Sequence, residues 1–232
     1  MSTESAQEFY GRWARLYDVI ARRTPGIAQL RRRAAAACRL EPGDTVVEMG
    51  CGTGANLPYL RERVGPTGTV IGIDFTRQVL ERARAATAEY DNVSVLRGDA
   101  TRLPVGAEVE AAETDGGGGI DAVLATFVVG MLEDPVAAVD DWCDLVGPDG
   151  TVVLANAARS EKWYAPPVNA VFRMIVILST PPTTRLHYEN DPHIRLDEKI
   201  DAAHARLRHR SVAVVDETHV FGVVRLTGGR LE

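Results

Sequence analysis

Short, almost wholly apolar runs alternate along this chain with longer stretches whose apolar positions fall three and four residues apart. The runs are Thr45 to Met49, Val70 to Asp74, Val93 to Arg97, Ile120 to Thr126 and Thr151 to Asn156. Each has the length and content of a strand buried on both faces. Between them, Ala55 to Arg63, Gln78 to Tyr90 and Pro135 to Val146 carry helical spacing. Strands alternating with helices at this pitch predict a parallel sheet with right-handed crossovers, an α/β doubly wound fold.

The ends of the chain depart from this rhythm. Ala6 to Arg22 sets Phe9, Trp13, Leu16, Tyr17 and Ile20 at helical spacing, and Ile27 to Leu40 mixes arginines with an alanine run; Pro25-Gly26 separates the two. After Asn156 comes an apolar segment, Val168 to Leu178, bracketed by Pro166-Pro167 and Pro181-Pro182. A helix near Asp197 to Arg208 follows, then strands over Ser211 to Val215, with extension to Phe221, and over Gly222 to Thr227. We expect one domain: cap helices over 1–44, a core over 45–156, a lid over 157–196, and a closing helix with edge strands over 197–232. Val105 to Gly119 is acidic and ends in four glycines, which predicts a surface loop inserted before the fourth strand.

The chemistry concentrates where the first strand ends. Glu48-Met49-Gly50-Cys51-Gly52-Thr53-Gly54-Ala55-Asn56 carries an apolar strand through three alternating glycines into a helix. Glycine tolerates positive φ and close backbone approach, so such a turn presents amides at a helix start to a polar ligand. Glu48 adds a carboxylate that suits a cationic or hydroxyl-bearing ligand and repels a pyrophosphate. Gly50-x-Gly52-x-x-Ala55 also satisfies the dinucleotide fingerprint, so the turn alone leaves an NAD(P)-linked oxidoreductase open. Asp74 ends the second strand twenty residues beyond Gly54, where both cofactor classes place a ribose-binding acid. Gly98-Asp99-Ala100 then adds an acid at the third strand tip, placed to accept from an adenine amino group.

Together these residues resemble the class I S-adenosylmethionine-dependent methyltransferases: Glu48-x-Gly50-x-Gly52-x-Gly54 is similar to their first motif, Asp74 to the second and Gly98-Asp99-Ala100 to the third. The resemblance covers about Tyr10 to Asn156. It implies a mostly parallel seven-stranded sheet closed by an antiparallel edge pair, with S-adenosyl-L-methionine as cofactor. Gly50, Cys51 and Gly52 would line its methionine part with backbone, and Glu48, Gly54 and Asn56 of the same turn belong to the cofactor-binding set. Asp74 would hold the ribose, Phe75 and Thr76 would lie beside it with Phe75 packing on adenine, and Asp99 with Ala100 would face the base. Thr126 and Phe127, at the end of the fourth strand, complete the expected set. An aromatic first helix ending in Tyr17-Asp18 resembles the amino-terminal segment of ubiquinone/menaquinone C-methyltransferases and bacterial phospholipid N-methyltransferases, which would bring Tyr17 over the cofactor.

Composition narrows the remaining choices. A chain of 232 residues accommodates one α/β domain with additions. The formal charge of −6 gives no general attraction to nucleic acid, so RNA and DNA are not expected partners. Cys38, Cys51 and Cys143 show no paired spacing, which argues against a metal centre or a disulfide framework and fits a cytoplasmic setting. The polar start lacks a leader's apolar core, and no run reaches the ~18 apolar residues of a spanning helix. Methyl transfer from a sulfonium rests on alignment and needs little acid-base machinery. An acceptor that must lose a proton needs a base, for which His187 with Tyr188 are the candidates; His193, His204, His209 and His219 carry no motif. Val168 to Leu178 suits a pocket cap, a buried helix or peripheral contact with a lipid surface, and so admits a small-molecule, prenylated quinone or phospholipid acceptor. A non-catalytic partner subunit of the same fold is the remaining alternative. Its mark would be a damaged first motif, and here the motif is intact.

Overall fold

The computed structural model describes residues 26–101, 119–160, 162–170, 174 and 192–232, with side chains in the last stretch from 196 onward. Seven strands form one sheet: β1 (Thr45–Met49), β2 (Thr69–Asp74), β3 (Val93–Arg97), β4 (Ala122–Thr126), β5 (Thr151–Ala157), β6 (Ala213–His219) and β7 (Val224–Arg230). Their spatial order is β3-β2-β1-β4-β5-β7-β6. The first five pair in parallel, whereas β7 runs antiparallel between β5 and β6. This arrangement departs from the dinucleotide-binding order 3-2-1-4-5-6, in which no reversed strand is inserted.

Five helices named here cover the sheet: α1 (Ile27–Ala37), α2 (Leu57–Val64), α3 (Arg77–Thr87), α4 (Pro135–Val146) and α5 (Pro192–Arg210). On one face Leu30 and Ala34 of α1, Leu60 of α2 and Leu80 of α3 pack on Val46, Val70, Leu124 and Val153. On the other, Val139 and Trp142 of α4 and Ile200 and Leu207 of α5 pack on Val47, Ile71, Val123 and Leu154. Both faces are therefore covered, which is why β1, β4 and β5 are buried at consecutive rather than alternate positions.

Most element bounds match the spacing. Val93–Arg97 and Pro135–Val146 coincide with their expected limits. The closing region differs. The strand expected to extend to Phe221 stops at His219, because Val220 and Phe221 both take positive φ (50° and 56°) in the turn to β7. β7 in turn runs past Thr227 to Arg230. Gly229 makes this extension compatible with α5 above it, since a Cβ there would lie 2.9 Å from Leu207 Cδ1.

Candidate functional site

The parallel strands end along one edge of the sheet, and the strand order reverses between β1 and β4, the position at which open α/β sheets bind ligands. The three glycines after β1 all have positive φ: 66° at Gly50, 54° at Gly52 and 74° at Gly54. Their surroundings separate their roles. A Cβ on Gly50 would lie 2.4 Å from Val128 Cγ2, and one on Gly54 would lie 3.0 to 3.1 Å from Ala83 and Leu57. These two glycines permit close packing of the turn on β4's exit and on α3. A Cβ on Gly52 would meet nothing within 4 Å. Its bare backbone faces open space, as a ligand cradle requires.

That space is a cleft lined by the turn (Gly50, Cys51, Gly52, Thr53, Ala55, Asn56), by Thr126 and Phe127 beyond β4, by Ala155 of β5, by Val79 of α3, and by Ile27, Leu30, Arg31 and Ala34 of α1. Phe127 enters it through a left-handed backbone (φ 59°), while its N–H donates to the Ala155 carbonyl at 2.8 Å. Cys51 is pinned between the turn and β2: its N–H donates to the Ile73 carbonyl at 2.8 Å, and a Cβ on Gly72 would lie 3.0 Å from its Sγ. Burial pushes its thiol well above the ordinary range. It therefore stays a neutral packing group rather than a nucleophile.

Glu48 occupies a different place from the turn's exposed backbone. It is fully buried beneath the cleft, where its Oε1 accepts from Asn56 Nδ2 at 2.5 Å and from the Thr126 hydroxyl at 3.4 Å. Asn56 Nδ2 also donates to Thr126 Oγ1 at 2.9 Å, so three residues from β1, the turn and β4 close one network. Glu48 Oε2 has no hydrogen-bond partner. Burial pushes this carboxyl up to about 8, with the Asn56 bond and the Arg31 charge opposing.

At the next strand tip, Asp74 reaches back to the turn. Its Oδ2 accepts from the Gly52 N–H at 3.0 Å and its Oδ1 from the Thr76 N–H at 2.8 Å. The carboxylate thus fixes the conformation of the glycine whose face is open. Burial raises its pKa, against the pull of these amides. Phe75 beside it is 59 % exposed, an apolar ring left uncovered at the cleft's end, and Thr76 is buried. At the third tip, Asp99 accepts from both the N–H and the hydroxyl of Thr101, at 2.9 and 2.8 Å. The Ala100 carbonyl accepts from Trp142 Nε1 at 2.8 Å, which ties this tip to α4.

The structure therefore brings Gly50, Cys51, Gly52, Asn56, Thr126 and Phe127 to one cleft. It sets Glu48 underneath, Gly54 against α3, and Asp74, Phe75, Thr76, Asp99 and Ala100 along the adjoining tips. Tyr17, His187 and Tyr188 lie outside the described residues. His204, a residue of α5, is buried against β7, its Nδ1 2.7 Å from Thr227 Oγ1, and burial holds it down to about 4. His219 is bonded to Glu217 at 2.9 Å, and none of the described histidine side chains lines the cleft. Among the described residues no cluster suits a metal ion, and no described helix is long and apolar enough to cross a membrane. Sequence reasoning missed the contribution of α1. Its signal was the spacing Ile27, Leu30, Arg31, Ala34, which is i, i+3, i+4, i+7 on one helical face.

Residues 40–199 match the sequence profile of a methyltransferase domain. The chain belongs to this methyltransferase-domain family. An arsenite methyltransferase from Halobacterium salinarum is 28% identical over 127 residues, which are 54% of this chain and 30% of that protein. A demethylmenaquinone methyltransferase from Staphylococcus aureus is 31% identical over 129 residues, 56% of this chain and 49% of that protein. The matched region thus spans half or less of these curated relatives. A solved S-adenosylmethionine-dependent methyltransferase from Aquifex aeolicus shares the fold with a TM-score of 0.55 at 18% identity, covering 90% of this chain and 94% of that one. The family's cofactor is S-adenosyl-L-methionine, and the residues present suit it: an open-faced glycine, an acidic strand tip, an uncovered aromatic ring and a buried carboxyl beneath a mostly apolar cleft. The methyltransferase domain also removes the dinucleotide alternative, in agreement with the reversed β7.

Proposed function

We propose that this protein transfers a methyl group from S-adenosyl-L-methionine to a small or lipid-like acceptor, with the ring carbon of a prenylated quinone as the leading candidate. The observation that carries the reading is Gly52, whose open face lies in the cleft while Asp74 holds its N–H. In this reading the turn and Thr126 hold the methionine end, Asp74 accepts from the ribose hydroxyls, and Phe75 covers the adenine. When bound, the cofactor would supply an electrophilic methyl on a sulfonium whose departure leaves a neutral thioether, and a ring-carbon acceptor would give up its proton to solvent or a base as it gains that methyl. The protein's part is alignment and exclusion of water, worth about 7 to 11 kcal/mol for a well-held pair.

Support for a lipophilic acceptor comes from the segment after β5. Trp163 is 91 % exposed, Phe221 71 % and Met174 63 %. Trp163 and Phe221 belong to adjoining loops, since the Ser160 hydroxyl donates to the Phe221 carbonyl at 2.9 Å and a Cβ on Gly222 would lie 3.0 Å from Lys162 Cγ. Large uncovered apolar side chains mark interaction surfaces, and in the sequence Trp163 shortly precedes, and Met174 belongs to, the apolar run Val168 to Leu178. The same surface suits a phospholipid acceptor. Incubation with methyl-labelled cofactor and a host-cell extract split into lipid and aqueous fractions separates these readings; label confined to the aqueous fraction rules out both lipid acceptors.

Two substitutions test the cofactor's place. Gly52→Val fills the open space and Asp74→Ala removes the strand-tip acceptor, so each is expected to abolish calorimetric binding of S-adenosylhomocysteine in a protein that still unfolds cooperatively. Affinity retained in both would rule out this placement.

A further inference from the structure

Two neighbouring loops at the carboxyl edge of the parallel strands hold aromatic rings out into solvent. Ala157, the last residue of β5, pairs with Val224, the first of β7, so the chain leaving β5 and the β6–β7 turn emerge side by side. Ala155 lines the cleft two residues earlier on β5, which sets these loops about 7 Å of strand beyond the cleft wall. Their frame is closed by hydrogen bonds. The Ser160 N–H donates to Asn169 Oδ1 at 2.8 Å, Asn169 Nδ2 donates back to the Ser160 carbonyl at 2.9 Å, and the Ala158 N–H donates to the Val223 carbonyl at 2.8 Å. From this frame project the exposed rings of Trp163 and Phe221, with Tyr164 edge-on to Trp163 at 5.5 Å between centroids. Phe221 is held outward by a strained backbone, since its φ of 56° is an outlier for a bulky side chain. Val220 beside it, at φ 50°, packs on the same core cluster as Ile27 and Phe127 of the cleft. Strain of this kind collects at functional sites.

The chemistry of the patch selects its partner. Trp and Tyr, apolar rings with one polar edge, concentrate at membrane–water interfaces, and a lysine stem lies along apolar surface while its ammonium stays wet. Here Lys162, Trp163 and Tyr164 are consecutive and all exposed. The charges around them fit an anionic surface. Arg159 pairs with Asp197 and Arg225 with Asp201, which offsets both acids, while Lys162 has no ion pair among the described residues. We propose that Trp163, Tyr164 and Phe221 insert into the headgroup region of a phospholipid bilayer, with Lys162 on its phosphates, and that the protein thereby docks with the cleft edge of its sheet toward the membrane. The inference rests on the lipid-acceptor reading above and names the surface through which that acceptor reaches the site: it passes from the bilayer along the two loops without crossing water.

Flotation with two sets of vesicles tests the docking, one of phosphatidylcholine alone and one with an equal part of phosphatidylglycerol. The unsubstituted protein is expected to float with both, and Lys162→Gln to lose about fivefold in partition on the anionic set only. Trp163→Ser combined with Phe221→Asn removes both rings, and asparagine suits the left-handed backbone at 221. This double variant should lose roughly tenfold to a hundredfold in partition, as deletion of two large apolar side chains predicts, with S-adenosylhomocysteine affinity unchanged and resistance to urea at least equal. In a Trp13→Phe background, where the other remaining tryptophan, Trp142, is buried in the core, acyl-brominated lipid should quench emission from Trp163. The docking is overturned if the unsubstituted protein stays off both vesicle sets, if the double variant floats equally well, or if Trp163 escapes quenching. A concentration-dependent dimer that the double variant abolishes also overturns it, since the occupant is then a second copy of the chain. Flotation accompanied by methyl label confined to the aqueous fraction overturns the lipid acceptor and leaves the docking in place.

Discussion

Glu48 shows how a single carboxyl can serve the site at a cost to the fold. An unfolded glutamate here ionises near 4.5, whereas burial holds the folded one near 8. Between those values the unfolded chain has released a proton that the folded chain still holds. Folding stability from this group is therefore full below pH 4.5 and declines by about 1.4 kcal/mol per pH unit through the window, until both states are ionised above 8. Gln keeps the shape and an acceptor for Asn56 without the charge. Glu48→Gln should thus gain stability relative to the parent protein between pH 5 and pH 8, read by urea unfolding at both; an equal difference at the two values would contradict the buried, protonated carboxyl. Glycine roles also divide at this scale. The motif spacing named Gly50, Gly52 and Gly54 alike, yet Val128 crowds the first, Ala83 and Leu57 crowd the third, and only the second opens on the cleft.

At the scale of elements, α4 is legible from sequence down to its ends because its signals are local. Asp134 caps it by accepting from the Val136 and Ala137 amides at 3.1 and 3.0 Å, Pro135 opens its first turn, and Gly147 ends it. Asp134→Ala leaves those two amides without their acceptor and is expected to cost about 1 kcal/mol in urea unfolding, without weakening S-adenosylhomocysteine binding. The helix is anchored beyond its caps, since Trp142 donates to Ala100 and Arg206 and Arg210 of α5 pair with Asp140 at 2.8 Å. Those links join residues distant in sequence, and no local pattern announces them. The β6–β7 turn was misjudged for a related reason. Val220 and Phe221 are residues that favour strands, and the return of the chain to pair with β5 forces them into left-handed backbone.

For the whole molecule, the site sits at one edge of a sheet whose order reverses beside β1, while the acidic stretch 106–118, whose composition reads as a surface insertion, lies outside the described residues. Deleting residues 106–118 is accordingly expected to leave S-adenosylhomocysteine affinity nearly unchanged. A large loss on calorimetry would make the insertion part of the binding machinery.

The amino-acid sequence by itself determined the alternation of strand and helix, the bare-backbone turn after β1 and the acids at the next two strand tips, because each is written in residues close together along the chain. Tertiary structure alone decided which glycine faces the ligand, that Glu48 lies beneath the cleft rather than in it, and that α1 supplies a charged wall. Those outcomes depend on neighbours such as Val128 against Gly50 and Thr126 above Glu48, the latter pair separated by 78 positions. Burial and electrostatic environment are properties of the packed assembly of elements, and they exist only once β1, β4 and α1 have come together.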